Sequence, residues 1–497
     1  MKKFTILILL AALLTSMNSC GKTEQNTEGT AGETSVVQET EETSLYVADD
    51  LPELNYDGRT ATFYIGDYNN AFWNDFYAEA TNGERVNDAI FDSIQAMNER
   101  LNVNLTHIQD TFGWPITDHT NRITNLIMAG DNSFDLLFSV NNFVGEQLTS
   151  PYFMNLADTP HVDLSKPWYN QSIPEALPTD DVWFIIGDSG LGNVKHTFCV
   201  FFNEDLMAAN GIDTDLYSMV DEGKWTLDAF TKIAQQGYVD TNGNTEKDAG
   251  DSYGLTFGDA NKITGFLSSL DIKMISQTDS GYKIEYRNEH AVNAVEKITA
   301  LANENLSVAP FWLTNGDHPE WQVATGGGNY GSLTFMEGRS LMTCSLICDA
   351  ATIMPEIDFS CGIVPYPKYD EAQKNYYSFL QRSCYVLIPT TADAEFSGAL
   401  LEAWSSQAYR TIMPEYFETT LKVRYSQDNN TSRMFDLIRS SISYDPGEIF
   451  ASFLGTPSGM LKSFVYENNS DWVSSVTAQE NVWQAALDDL WATVYLQ

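Results

Sequence analysis

The sequence predicts an α/β fold built on a parallel sheet covered by helices. Three observations carry this. From Thr60 onward, strand and helix signals alternate in a βαβαβ rhythm. With 43% hydrophobic and 12% aromatic residues, the chain can bury large cores. A folded part of roughly 440 residues also exceeds what one core sustains, so it should divide into two or more lobes.

The amino terminus reads as targeting. Lys2 and Lys3 are basic, and Phe4 to Leu14 is an apolar run of about 11 residues, too short to span a bilayer. Met17-Asn18-Ser19-Cys20 then resembles a bacterial lipobox. It predicts removal of residues 1–19 as a lipoprotein signal peptide and acylation of Cys20, giving an anchor without a spanning helix. The alternative is an ordinary secretory signal that happens to contain a Cys. Residues 20–54 are rich in Thr, Glu and Gly, too poor in apolar groups to offset ordering entropy, and read as a solvated acidic tether. Gly21-Lys22-Thr23 lacks the upstream Gly of a phosphate-binding loop, and no other stretch supplies one, so the chain is not itself an ATPase.

In the folded part, Ala61 to Gly66 reads as a strand. Val86, Ile90, Ile94, Met97 and Leu101 keep a helical period, and Val103 to Ile108 reads as a second strand. Ile123, Leu126 and Ile127 stripe a helix ending at Gly130, and Phe134 to Val140 reads as a third strand. Ligands of open α/β sheets sit beyond the carboxyl ends of strands. The segment Asp67 to Trp73 after the first strand, and Asn141 and Asn142 after the third, are therefore candidate ligand walls. Asp67, Asn69, Asn70 and Trp73 combine planar polar groups with an aromatic face, a set suited to sugar hydroxyls and C–H surfaces. The competing reading of the same residues is a capped turn over a core Trp. Trp114, Trp168, Trp312 and Trp321 pose the same question.

With 27 basic against 68 acidic side chains, the net charge of −41 opposes nucleic acid and anionic lipid headgroups. Besides Cys20, the cysteines are Cys199, Cys344, Cys348, Cys361 and Cys384. Their odd number and the lack of a neighbouring His favour buried free thiols over a metal site, with a disulfide still open. The six histidines are scattered, with no HExxH and no nucleophile elbow, so no active site is legible.

From Cys199 to Leu255 the chain runs CVFFNEDLMAANGIDTDLYSMVDEGKWTLDAFTKIAQQGYVDTNGNTEKDAGDSYGL. Thr226 is a good N-cap, Phe230, Ile233 and Ala234 form an apolar stripe, and Trp225 reads as a packing anchor. The order FFNEDLM…GKWTLDAF…D-x-YG resembles the extracellular solute-binding proteins of carbohydrate ABC importers. Later blocks strengthen the resemblance. AGDNSFDLLFSV leads to the third strand, and FMEGRSLM (Phe335 to Met342) looks like a helix of that family. DFSCGIVPYPKYDEAQKNYYS returns toward a hinge, and Val386 to Pro389 looks like the family's strand ending in Ile-Pro. MPEYFETTLKVRYSQDNNTSRMFDLI then looks like its following helical module. After Ser452 a closing helix is expected, with Trp483 and Leu487 on one face.

The resemblance implies a type II, two-lobe periplasmic-binding-protein-like fold with the ligand between the lobes. Lobe I would take residues 55–185 plus about 382–430, and lobe II residues 186–381 plus about 431–497. It implies a non-enzymatic, lipid-anchored, monomeric protein outside the cell membrane. Such a protein captures a carbohydrate by hinge closure and passes it to ABC permease subunits driven by a separate ATPase. Candidate ligand residues are Asn70, Trp73, Asn141, Asp188, Trp312 and Tyr377; Asp188 follows an expected strand, Val182 to Ile186. Asp240, Asn242, Asn244, Asp248 and Asp251 have the spacing of a calcium loop, where a structural ion is one reading and a loop of Asx turns the other. Two other functions stay open at this point: a surface glycoside hydrolase or lyase, and an adhesin or sensor with no transport partner.

Overall fold

The computed structural model describes residues 47–147, 152–177, 180–248, 250–305, 307–310, 330–380, 382–417 and 429–495. Strand β1 (Arg59–Tyr68) is its first long element, and residues 61–67 are all buried. Burial on both faces is the mark of a central parallel strand. Strand β2 (Val103–Phe112) pairs parallel to β1 from Arg59↔Val103 to Tyr68↔Phe112, and β3 (Leu136–Val140) pairs parallel on its other side. Helix α1 (Arg85–Leu101) buries Ile90, Ile94, Met97 and Leu101, and Asn102 stops it in the left-handed region. Helix α2 (Thr117–Met128) buries Ile123 and Ile127, and Gly130 at φ +72° ends it as the sequence predicts.

A second sheet holds β4 (Phe198–Asn203), β5 (Tyr253–Phe257), β8 (Ser340–Leu346) and β9 (Cys361–Val364), in the order β5-β8-β4-β9. A hairpin of β6 (Ile275–Thr278) and β7 (Gly281–Ile284) stands apart. The chain then returns to the first sheet, where β10 (Cys384–Leu387) runs antiparallel to β3, giving β10-β3-β1-β2. Two mixed sheets flanked by helices are the two-lobe architecture expected.

Several local expectations hold. The Thr226 hydroxyl accepts the Ala229 N–H at 3.3 Å. Trp225 has no exposed surface and its indole N–H donates to the Pro365 carbonyl at 2.8 Å. The closing helix Trp472–Tyr495 buries Trp483 and Leu487. All five described cysteines are free thiols, four of them buried. Two expectations need correction. Phe335 to Met342 is not one helix: Gly338 at φ +72° stops a helix at Met336, and Ser340 begins the fully buried strand β8. Val182 to Ile186 makes only a single bridge, Ile185 to Val386; the Val182 N–H goes to the Asn155 side chain at 2.8 Å, and the Val182 and Ile186 carbonyls accept from the loop N–H groups of Leu156 and Asn170.

Candidate functional site

The site is defined by where the two sheets meet. In the first sheet the parallel strands end together at Tyr68, Phe112 and Val140, and antiparallel β10 starts there at Cys384. In the second, β4 begins at Phe198 beside the end of β8 at Leu346, and β5 ends at Phe257. Three segments pass between them. Thr197 bridges Leu380, the Phe198 N–H donates to the Phe379 carbonyl at 3.1 Å, and Ser378 bridges Ile442. Asn193 fastens two of these segments: its amide donates to the carbonyls of Gly187 (2.9 Å) and Cys384 (3.1 Å), and its oxygen accepts the Cys384 N–H at 2.8 Å.

The first wall is the turn after β1. Asp67, fully buried, accepts the N–H groups of Phe72 (2.9 Å) and Trp73 (3.2 Å) and the amide of Gln109 (2.7 Å). It thereby holds the turn in which Asn69 and Asn70 take φ of +53° and +57° with exposed side chains. Asn and Asp are the residues that tolerate this backbone region. Trp73 is half-buried, edge-on to His107 at 6.1 Å and 4.7 Å from Tyr77. Beside it, buried Asp75 pairs with Lys195 and accepts the Gly192 N–H at 2.6 Å, docking the turn onto the first crossing. Burial raises the Asp75 carboxyl, against the pull of Lys195.

The second wall follows β5 and β8. Lys262 is almost fully buried, paired with Asp259 at 3.1 Å and 5.6 Å from the Phe198 ring centre. Asp349 accepts the Leu346 N–H at 3.1 Å and the Ser345 hydroxyl. On the crossing segments, Arg382 lies with its guanidinium carbon 5.8 Å from the centre of the Tyr68 ring. Burial, then the charges of Arg382 and Lys195, push the His196 imidazole down to about 3, so it is neutral at physiological pH. The wall residues are thus Tyr68, Trp73, two exposed Asn, Asp349 and the ion-paired Lys262, with Arg382 beside a neutral His196.

Of the residues singled out from the sequence, Asn70 and Trp73 share the first-wall turn, and Asn141 opens the helix directly after β3. Asp188 lies on the first crossing in a cavity of about 450 Å³ that also takes in Trp168, Tyr169, Asn170 and Tyr444. Both its oxygens accept from the Arg439 guanidinium at 3.1 Å, and burial raises its carboxyl against that partner. Tyr377 lies on the second crossing, with the Lys273 ammonium 5.7 Å from its ring centre. Trp312 and Cys20 lie outside the described residues. Arg382, Lys195 and Lys262 were missed. Arg382 stands two residues before β10, in QRSCYVLIP, and a lone basic residue entering a strand next to the hinge was the available signal.

The Asp240–Asp251 loop turns its carboxylates on its own donors. Asp240 accepts from Gly243 (2.7 Å) and Thr245 (2.8 Å). Asp248 accepts from the Asn242 and Asn244 amides and the Gly250 N–H, each at 2.7 Å. Asp251 accepts from Thr241 and Asp248, both at 3.1 Å. Together these bonds form nested Asx turns. Among the described residues, no group of three or more His, Cys, Asp or Glu is placed to hold a metal.

No protein-family model and no curated protein sequence matches the chain. Solved structures do match in fold. Mycobacterium tuberculosis UspC is 16% identical with a TM-score of 0.56, over 86% of this chain and 100% of that one. The GacH receptor of Streptomyces glaucescens, solved unliganded and with acarbose, is 13% identical with a TM-score of 0.54, over 87% and 99%. The galacto-N-biose-/lacto-N-biose I-binding protein of a Bifidobacterium longum ABC transporter is 9% identical with a TM-score of 0.56, over 87% and 98%. Across nearly its whole folded length, then, the chain has the two-lobe, periplasmic-binding-protein-like fold.

Proposed function

We propose that the protein is the solute-binding component of an ABC importer, capturing a carbohydrate between its lobes and handing it unaltered to membrane permease subunits. The observation that carries this is the convergence of strand ends from two sheets on one cleft spanned by three crossing segments. The same fold serves proteins solved with acarbose and lacto-N-biose. Asn69, Asn70 and Tyr68 on the first wall supply the planar amide and aromatic surfaces that sugars bind. Anchoring is part of the reading: Cys20 carries lipid and the segment from residue 20 to residue 46 forms the tether, shorter than the expected 20–54 because Asp49 pairs with Arg100 and Arg410 and Leu51 and Leu54 pack on the core. No helix of the described residues is long and apolar enough to cross a membrane.

A hydrolase reading has one apparent foothold, a Ser–His–Asp line. His119 contacts Asp110 and the Ser139 hydroxyl, each at 2.8 Å. Both Ser139 and His119 have no exposed surface, and Phe112 stacks on the imidazole at 4.0 Å. A nucleophile that no substrate can reach does not support acyl transfer, and the line is packing. A thermal-shift screen over mono- and oligosaccharides, followed by chromatography of the recovered ligand, tests the proposal. A stabilising glycan recovered intact is expected; cleavage of that glycan, or no stabilising glycan, overturns it. For the anchor, Cys20→Ala should move the protein from the membrane fraction to the medium.

A further inference from the structure

In a chain with 68 acidic and 27 basic side chains, a guanidinium should readily find a carboxylate. Nine of the ten described arginines do, with nitrogen–oxygen distances of 3.7 Å or less. Arg382 is the exception. It is half-buried and has no ion-pair partner among the described residues. It lies over the Tyr68 ring instead, a cation–π arrangement at the carboxyl end of β1.

Its position is the segment that enters β10, at the carboxyl ends of β1 and β3. Cys384, two residues on, pairs with Val140 at the end of β3. The charge of Arg382 bears on His196 of the first crossing and on Cys348, just past β8 of the second lobe; Asp349, Lys262 and Lys195 also act on Cys348. Both lysines have their own carboxylates, Asp259 and Asp75. His196 adds no charge. Asp349, beside Cys348, is engaged by the Leu346 N–H and the Ser345 hydroxyl and forms no ion pair with Arg382. Arg382 is thus the cation here without a carboxylate of its own, and part-burying a charge without a partner costs free energy that a bound anion would offset. A guanidinium presents a planar fork matched to oxyanions.

We propose that Arg382 grips an oxyanion of the captured sugar, so that the solute is an acidic glycan bearing a uronic carboxylate or a sulfate ester. This rests on the carbohydrate reading above and narrows its substrate class. Calorimetric titration of the full mature chain with trigalacturonate, a sulfated disaccharide and neutral maltotriose tests it. One acidic probe should bind at least roughly ten-fold tighter than maltotriose and weaken with added salt, and which acidic probe binds identifies the anion. Arg382→Gln should weaken that probe by roughly 10- to 100-fold, and Arg382→Lys by less, since it keeps charge and loses the fork. If maltotriose binds as tightly as both acidic probes, or if Arg382→Gln unfolds like wild type yet binds the acidic probe unchanged, the acidic assignment falls while carbohydrate capture stands. Should Arg382→Gln not fold, Arg382→Lys and the salt dependence of the wild type decide. Binding of none of the three overturns this inference together with the carbohydrate reading.

Discussion

Single residues set two opposite responses to pH. Asp110 accepts from His119, both arms of Arg122 (2.7 and 3.0 Å) and the Tyr64 hydroxyl (2.8 Å). Against burial, these bonds hold its carboxyl down at about 2. A depressed carboxylate stabilises the fold above its unfolded value near 3.8, and that contribution is lost as pH falls through about 2. Asp110→Asn should therefore cost about 2 kcal/mol at pH 7, with the difference from wild type shrinking toward pH 2 in urea titrations. Glu402 does the reverse. It is 1% exposed and takes a 2.8 Å hydrogen bond from the Tyr169 hydroxyl, and burial pushes its carboxyl up to about 7. The folded state then holds a proton that the unfolded chain releases above about 4.5, so stability falls as pH rises from there to about 7. Glu402→Gln, neutral throughout, should be more stable than wild type at pH 8 by on the order of 1–3 kcal/mol and equal to it near pH 4.5. Thermal unfolding at the two pH values checks this; an equal difference at both would show that Glu402 is not held protonated.

At the scale of elements, the crossings depend on close backbone approach and on one amide. A Cβ on Gly187 would lie 1.8 Å from the Trp168 carbonyl oxygen, which is backbone and cannot swing away. Gly187→Ala should displace the first crossing and destabilise the protein by more than the roughly 1 kcal/mol typical of point substitutions. Asn193→Ala removes three hydrogen bonds, two of them between crossings, and should cost about 2–4 kcal/mol, read as a lowered urea midpoint. The first half of this architecture was legible because its signals are local. The period of Ile90, Ile94 and Met97, the stop at Gly130 and the cap at Thr226 need no knowledge of distant partners. The mixed order of the second sheet and the return of Cys384–Leu387 to pair with β3 were not, because register between distant strands leaves no local pattern. For the same reason the turn holding Asn70 and Trp73 could be found from β1 alone. Arg382 could not, since its lack of a carboxylate is a property of the folded surroundings.

The whole molecule should behave as a hinge. Its two sheets are linked by three crossings, and a ligand touching both walls favours the closed arrangement by its extra contacts there. Two measurements follow. A glycan at about 100 times its dissociation constant should add about 2.7 kcal/mol, which in a folded body of this size raises the melting temperature by about 3 °C. The same saturated sample should show a smaller radius of gyration by small-angle scattering, because closure brings the Tyr68 and Asn70 wall toward the Lys262 and Asp349 wall. A variant weakened at the cleft, such as Asn70→Ala, should need more ligand to reach the same contraction, since a lost wall contact lowers the affinity of the closed state. Stabilisation without contraction would mean that the glycan sits on one lobe only, and capture between two closing walls would then have to be given up.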